Sequence, residues 1–321
     1  MSIRLLSHTL LCYTRVTMKM IKDRDMIVYI LANPLAGNGQ AFAIIKDIQK
    51  TYPQVRIESY LTQRRDDEYR QVKEILSVFQ ENSDRFLILG GDGTLDKVLS
   101  VWPREIPFAY YPTGSGNDFA RATGVKDWRQ VMEHLLETAP VPICVLEVQS
   151  GVVVNSLDIG YPARVIAHSE QSAVKRWFNR LKIGKLTYIF FGIFGLVNAS
   201  QLSALVKTND QTRELEHLFF LSIANNTYFG GGIMIWPEAH ITKPQMDLVY
   251  VSAISISQRI TALLDLILKR HKRSSVLHHV TAERVCLRLP HETVAQVDGE
   301  LQTITEVAIT CQTRYYYLGK E

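Results

Sequence analysis

Residues 86–95 read Phe86-Leu87-Ile88-Leu89-Gly90-Gly91-Asp92-Gly93-Thr94-Leu95. The apolar run from Phe86 to Leu89, bounded by glycines, has the length of a buried strand. Leu95, Val98, Leu99 and Trp102 then recur at helical spacing, so a helix follows. Strand, glycine turn, helix is the arrangement in which backbone N–H groups and a helix start collect a phosphate. Glycine lets the backbone approach such a ligand without a Cβ in the way. Asp92 would repel a phosphate unless a cation lay between them, which points to Mg²⁺. Taken alone, the stretch reads equally well as a tight turn.

Two further stretches of the same kind accompany it. Met26 to Ala32 is a continuous β-rich apolar run, as a buried parallel strand requires. It ends at Asn33-Pro34-Leu35-Ala36-Gly37-Asn38-Gly39, and a helical pattern follows from Gln40 to Lys50. Val55 to Leu61 reads as a second strand ending at Thr62. Asp66 to Phe79 reads as an amphipathic helix with acids in its first turn, as the macrodipole favours. Ile106 to Tyr111 reads as a fourth strand, ending at Pro112-Thr113-Gly114-Ser115-Gly116-Asn117-Asp118, and Phe119 to Ala122 opens another helix. Strand and helix alternate over about residues 26–145, which predicts an α/β domain on a parallel sheet. Ligands of such sheets lie beyond the carboxyl ends of the strands. All three glycine-rich stretches fall at such ends.

The pattern changes after Val145. Val152 to Val154, Leu202 to Val206, Leu218 to Ile223, Leu248 to Val251, Val276 to Val280, Val285 to Leu289 and Ala308 to Cys311 are β-rich. Strands with few helices between them predict a mostly antiparallel second domain, a β-sandwich, over residues 146–300. Two helical stretches interrupt it. Residues 162–199 carry Arg164, Lys175, Arg176, Arg180, Lys182 and Lys185 against one acid, Glu170. Residues 255–273 are apolar and end in Lys269, Arg270, Lys272 and Arg273.

The bulk numbers agree with two domains, at about 150 residues each in a chain of 321. A net charge of +4 is too small to imply a nucleic-acid partner. The cysteines, Cys12, Cys144, Cys286 and Cys311, form no C-x-x-C pair. That argues against a zinc site or a disulfide framework and for a reducing cytosol. The longest apolar run, Leu186 to Ala199, falls short of the roughly 20 residues a membrane-spanning helix needs. Residues 1–25 read as a dispensable extension, since the strand pattern begins at Met26 and Met18 and Met20 offer internal starts.

Asn33-Pro34-Leu35-Ala36-Gly37, Gly90 to Leu95, Gly114-Ser115-Gly116-Asn117-Asp118-Phe119-Ala120-Arg121 and Val297-Asp298-Gly299-Glu300 together resemble, in order and spacing, the soluble bacterial diacylglycerol kinase and lipid kinase family. Eukaryotic diacylglycerol and sphingosine kinase catalytic domains are related to it. The resemblance runs from about Met26 to the end. It implies a nucleotide domain like that of NAD kinases, a β-sandwich second domain, and ATP and a lipid meeting in the cleft between them. It also implies that strands beyond about residue 300 return to the first domain.

The roles the resemblance implies fall on particular residues. Asn33, Pro34, Leu35, Ala36 and Gly37 match the first nucleotide loop, and Thr62 and Ser115 match nucleotide contacts. Gly90, Gly91, Asp92, Gly93 and Thr94 would hold the phosphates. Asp92 would serve a catalytic Mg²⁺, directly or through water, and Asp118 is a carboxylate near that metal. Glu300 matches the general base that takes the proton of the lipid hydroxyl. The implied reaction moves the γ-phosphate of ATP to a lipid alcohol, diacylglycerol first. From the residues alone, Asp118 reads equally as a helix N-cap, and Asp298-Gly299 as a hairpin turn with Glu300 beside it.

Two departures stand out. Asp96 occupies a place where the family usually has Asn, and helical geometry suggests that it faces solvent. Thr242, Lys243 and Pro244 occupy a turn where relatives often bind a structural Mg²⁺. Lysine cannot ligate a cation but can replace one electrostatically, so no structural Mg²⁺ is expected there. Asn225, Asn226, Tyr228, Phe229, the three glycines from Gly230 to Gly232, and Met234 either line the cleft or form a plain hairpin. Lys175, Arg176, Trp177 and Phe178 suggest transient contact with an anionic membrane, and edge strands suggest a homodimer. A kinase of a soluble alcohol and a non-catalytic nucleotide- or lipid-binding regulator are the competing readings.

Overall fold

The computed structural model describes residues 26–37, 39–171, 202–209, 211–229 and 231–318. The N-terminal extension, the basic stretch from Lys175 to Lys185 and the apolar run Leu186 to Ala199 lie outside the described residues, as does Asn38.

The first sheet is parallel throughout. Its strands are β1 (Ile27–Ala32), β2 (Arg56–Leu61), β3 (Arg85–Gly90) and β4 (Ala109–Pro112), in the order β2-β1-β3-β4. Helices cover both faces, and the two-residue period of the strands sorts the side chains between them. Val28, Ile30 and Ala32 pack with α1 (Ala41–Thr51) and α5 (Trp128–Glu137). Tyr29 and Leu31 pack with α2 (Glu68–Leu76) and α3 (Asp92–Leu99). The short helix α4 (Asp118–Ala122) follows β4.

Register brings the strand ends into one row. Ala32 pairs with both Leu61 and Leu89, and Gly90 pairs with Pro112. Asn33, Thr62, Gly91 and Thr113 each follow the residue at one of these ends.

The second region is a nine-stranded sheet, antiparallel in every pairing. Its strands are β5 (Val141–Val148), β6 (Gly151–Val153), β7 (Ser156–Gly160), β8 (Leu202–Thr208), β9 (Thr212–Ala224), β12 (Met246–Ser252), β13 (His278–Ala282), β14 (Arg284–Val297) and β15 (Glu300–Tyr316). Strands β7 and β8 both bridge β9 and β14, one at each end. A two-stranded hairpin, β10 (Tyr228–Phe229) and β11 (Ile233–Met234), stands apart. Two helices belong to this region, α6 (Tyr161–Gln171) and α7 (Ile256–Ile267).

The two regions share a core. Strand β5 turns Ile143 and Val145 toward the first sheet and Cys144 and Leu146 toward the second region. Tyr316 and Phe108 pack ring on ring, centroids 5.2 Å apart. The end of β15 continues alongside the first sheet. Phe108 N–H donates to Tyr315 O and Tyr317 N–H to Phe108 O, both at 3.0 Å. Strand β4 itself starts at Ala109 rather than at Ile106.

Candidate functional site

Gly91 is the N-cap of α3, and the helix starts at Asp92 rather than at Leu95. Thr94 and Leu95 N–H groups donate to Gly91 O at 3.0 and 3.1 Å. The glycines therefore lie within the first turn of the helix, where N–H groups without intrahelical partners point outward. Gly93 has open space around its Cα.

The three glycine-rich stretches interlock. Thr113 N–H donates to Gly90 O at 2.7 Å. A Cβ on Gly114 would lie 2.6 Å from the Gly91 Cα, and one on Gly37 only 2.1 Å from Thr113 O. Gly37 also holds φ +58°, a conformation that favours glycine. Asn33 stitches the first stretch to the second. Its Nδ2 donates to Thr94 Oγ1 at 3.2 Å, and its Oδ1 accepts from Leu35 N–H at 3.0 Å. Thr62 is buried, with its N–H on Ala32 O at 3.0 Å. Leu35 and Ser115 are exposed at the rim.

Asp92 reaches across to the third stretch. Its Oδ2 accepts from Asp118 N–H at 2.9 Å, and Phe119 N–H and the Asn155 side chain also donate to it. Burial nonetheless pushes its carboxyl above the ordinary value. Asp118 is buried, and both of its oxygens are engaged. Arg121 donates to Oδ1, and Gly231 N–H donates to Oδ2 at 2.7 Å. Burial is again the main cause of a raised pKa, with Asp92 adding to it. Asp118 thus ties the first domain to the β10–β11 hairpin. Arg121 lies 5.6 Å from the Tyr228 ring centroid and would be 3.1 Å from a Cβ on Gly232. The Asn225–Met234 stretch is therefore a hairpin that also packs against the site. Phe229 fills core, while Tyr228, Gly231 and Gly232 meet Arg121 and Asp118.

Glu300 comes from the far end of the chain. Val297 and Glu300 pair across a two-residue turn, Asp298 and Gly299, both at positive φ (48° and 93°). That is the backbone of a type I′ hairpin. The Asp298 carboxylate accepts from Val154, Asn155 and Ser156 N–H groups at 2.7, 2.8 and 3.1 Å. The turn is thereby bonded to the start of β7, and Glu300 is left exposed beside a cavity of ≈ 190 Å³. Gly93, Asp96, Lys97, Arg65 and Tyr69 line the same cavity.

The expectation that Asp96 faces solvent is corrected here. Its side chain points into this cavity, because α3 turns that flank toward the Asp298–Glu300 turn. Burial first, then the Glu300 carboxylate, push the Asp96 carboxyl up to about 7. Lys97 beside it is held by Asp66 at 2.8 Å.

Several residues that shape the site had no role in the sequence reading. Asn155 and Tyr110 contact Asp92, and nothing local in the sequence marks either. Arg121 lay within a quoted motif without a part to play. Asp158 is fully buried behind the site, accepts from Ser156 Oγ at 2.7 Å, and is pushed up to about 7 by burial. In the turn around Lys243, the ammonium donates to Glu238 O at 2.6 Å.

With this geometry in view, comparison with known proteins places the chain. The description "Diacylglycerol kinase catalytic domain" matches residues 27–148, and "YegS C-terminal NAD kinase beta sandwich-like domain" matches residues 156–315. Residues 27–148 belong to the diacylglycerol kinase catalytic-domain family. Among its relatives is YtlR of Bacillus subtilis, named as a candidate lipid kinase. It is 22% identical over 290 residues, 86% of this chain and 94% of that one. A YegS-like protein of Pseudomonas aeruginosa, also named as a candidate lipid kinase, is 27% identical over 231 residues, 70% and 72% of the two chains. A crystal structure described as a candidate diacylglycerol kinase from Bacillus anthracis Sterne superimposes with a TM-score of 0.71 at 20% identity, covering 92% of this chain and 95% of that one. The expected α/β nucleotide domain with an antiparallel second region is the fold of this family member. Its first domain is a diacylglycerol kinase-like catalytic domain, of the kind found in the lipid kinase family. No helix among the described residues is long and apolar enough to cross a membrane.

Proposed function

We propose that this family member transfers the γ-phosphate of ATP to the hydroxyl of a lipid alcohol, with diacylglycerol as the first acceptor to test. One observation carries the reading. Glu300, a free carboxylate edge, opens onto the same cavity as Gly93 in the first turn of α3. A phosphate donor and an acceptor base thus share one space.

The assigned roles follow from position. N–H groups of the Gly91–Thr94 turn receive phosphate oxygens, and Asn33, Gly37 and Thr113 hold that turn in place. Thr62 and Ser115 flank the nucleotide. Glu300 accepts the proton of the acceptor hydroxyl as the phosphorus–oxygen bond forms. Phosphoryl transfer depends chiefly on positioning and charge neutralisation. The donor set suits Mg²⁺, which commonly takes one or two carboxylates together with substrate phosphates. Asp92 is a half-buried oxygen donor within the phosphate turn itself. Asp118, with both oxygens engaged, fits better as the group that positions it. Bound Mg²⁺ would neutralise charge on the transferring phosphoryl group.

The charged lining of the cavity, Arg65, Asp66 and Lys97 among it, favours a second reading, a soluble polar alcohol as acceptor. One assay separates the two. Labelled γ-phosphate of ATP is followed into a panel of mixed-micelle lipids and soluble alcohols, wild type beside Glu300→Gln. A labelled lipid that falls by at least about 10²-fold in the variant supports the lipid acceptor and the base. Equal rates in both proteins place the base elsewhere. Product only with soluble alcohols replaces the acceptor class. Nucleotide binding with no product at all favours a regulator.

A further inference from the structure

Helix α7 is amphipathic in an unusual sense. Its inner flank is buried on the second region: Ala262 and Leu266 pack with Ile235, Trp236 and Val276. Its outer flank is also apolar. Ile256, Ile260, Leu264 and Ile267 are 48%, 43%, 48% and 70% exposed. At 3.6 residues per turn these four fall within about 80° of one another on the helix surface. Ile254 and Leu268 extend the stripe at its two ends, 65% and 51% exposed. Leu263, Ser257 and Thr261 border the four, and the one acid of the helix, Asp265, lies about 100° from Leu264. Isolated exposed apolar side chains need no explanation, but a continuous stripe does.

The chain leaving the helix is basic. Lys269, Arg270, Lys272 and Arg273 are all exposed, while His271 between them is buried and bonded through Nε2 to Met234 O at 3.0 Å. Buried His271 pins this turn, which presents its cations outward. Lys272 pairs with Glu238. Lys269, Arg270 and Arg273 make no ion pair among the described residues. A helix with one apolar exposed flank and adjoining cations is the form that settles at a membrane interface, apolar side chains below the headgroups and cations among them. The helix packs on Ile235, next to the β10–β11 hairpin whose Gly231 meets Asp118.

We infer that α7 is a docking surface for an anionic lipid bilayer. Ile256, Ile260, Leu264 and Ile267 enter the interface, and Lys269, Arg270 and Arg273 contact anionic headgroups. Charge selects this occupant. A stripe without acids, ending in clustered cations, complements a negative surface. The inference stands on this surface and does not depend on which acceptor is phosphorylated.

The test is co-sedimentation of the full chain with vesicles of phosphatidylcholine, with and without phosphatidylglycerol. Wild type should bind the anionic vesicles and be released by salt. Ile260→Ser/Leu264→Ser/Ile267→Ser should weaken binding about 100-fold, from the transfer energy of three half-exposed side chains. Lys269→Glu/Arg270→Glu should weaken it at least about fivefold per residue on anionic vesicles only. These positions are exposed, and an unchanged thermal transition would show that the variants fold. A polarity-sensitive dye on Leu264→Cys, with labelled wild type as background, should shift to the blue on anionic vesicles.

Wild type that ignores anionic vesicles would overturn the inference. So would triple-variant affinity equal to wild type. A dimer that the triple variant dissociates, with vesicle binding unchanged, would assign the stripe to a second copy instead. Turnover of a short-chain acceptor dissolved as monomers should survive all α7 variants, so failure of the kinase reading and failure of the docking surface are seen separately.

Discussion

Asp96→Asn is expected to stabilise the protein near pH 8 and to leave it unchanged near pH 4. Asp96 titrates near 3.8 in an unfolded chain and near 7 in the folded protein, through burial first and Glu300 second. Between those values the folded protein keeps a proton that the unfolded chain has released. The associated stability is therefore complete below about pH 4 and is lost as pH climbs through about 7. At 1.36 kcal/mol for each pH unit, the interval from 3.8 to about 7 gives an upper bound of about 4 kcal/mol. Glu300 is exposed, and water screens its share, so the expected gain near pH 8 is about 2–4 kcal/mol. Asparagine carries no charge at any pH and avoids that loss. In a chain of this size each kcal/mol moves the transition by roughly 2 °C, so a rise of about 4–8 °C is expected. The assay is thermal unfolding of both proteins from about pH 4 to pH 8 at one scan rate. An offset independent of pH, or a less stable variant near pH 8, would refute the reasoning. Glu300→Gln should reproduce only a smaller part of the effect.

Gly37→Ala places a Cβ 2.1 Å from Thr113 O at φ +58°. It should lower nucleotide affinity about 5- to 150-fold, by a strain of about 1–3 kcal/mol in the cradle, read by equilibrium titration. Arg314→Met removes a buried guanidinium that donates to Trp102 O at 2.6 Å and Leu99 O at 3.0 Å. Two carbonyls at the end of α3 lose a charged donor, at a cost of about 2–3 kcal/mol. Differential scanning calorimetry should show it, and Arg314→Lys should rescue little, because one ammonium lacks the planar fork. Asp298→Ala leaves three N–H groups of the β7 start without their acceptor and removes a side chain tolerant of φ 48°. The loss should reach about 3 kcal/mol in urea unfolding, with turnover falling as Glu300 is displaced. Asp298→Asn tolerates the same turn but accepts through one oxygen only, so it should restore part of both.

Much of the fold was legible because its signals are local. The runs at Met26 and Phe86 name their own strands. Asp298-Gly299 names its own turn, since few residues accept positive φ. Other features have no local signal. The pairing of Phe108 with Tyr316 joins segments far apart in the chain. Asp96 appeared solvent-facing from helix geometry alone, because geometry along one helix does not say what packs against it. Asn155 and Tyr110 had no pattern to reveal them as partners of Asp92. The basic turn of α7 was visible as charge, but its neighbouring Ile and Leu residues read only as apolar until burial separated one flank from the other.

The sequence by itself determined the parallel sheet, the glycine turns at its strand ends and the β-rich second region. It also marked the four motifs that place the chain in its family. These follow from side-chain period and from the backbone freedom of glycine, which act over a few residues. The tertiary structure alone decided that Glu300 faces Gly93 and Asp96, that Asp118 is tied to the β10–β11 hairpin, and that Arg314 caps α3. Those outcomes depend on burial and on contacts between distant segments, where desolvation and register, rather than local propensity, set which groups meet.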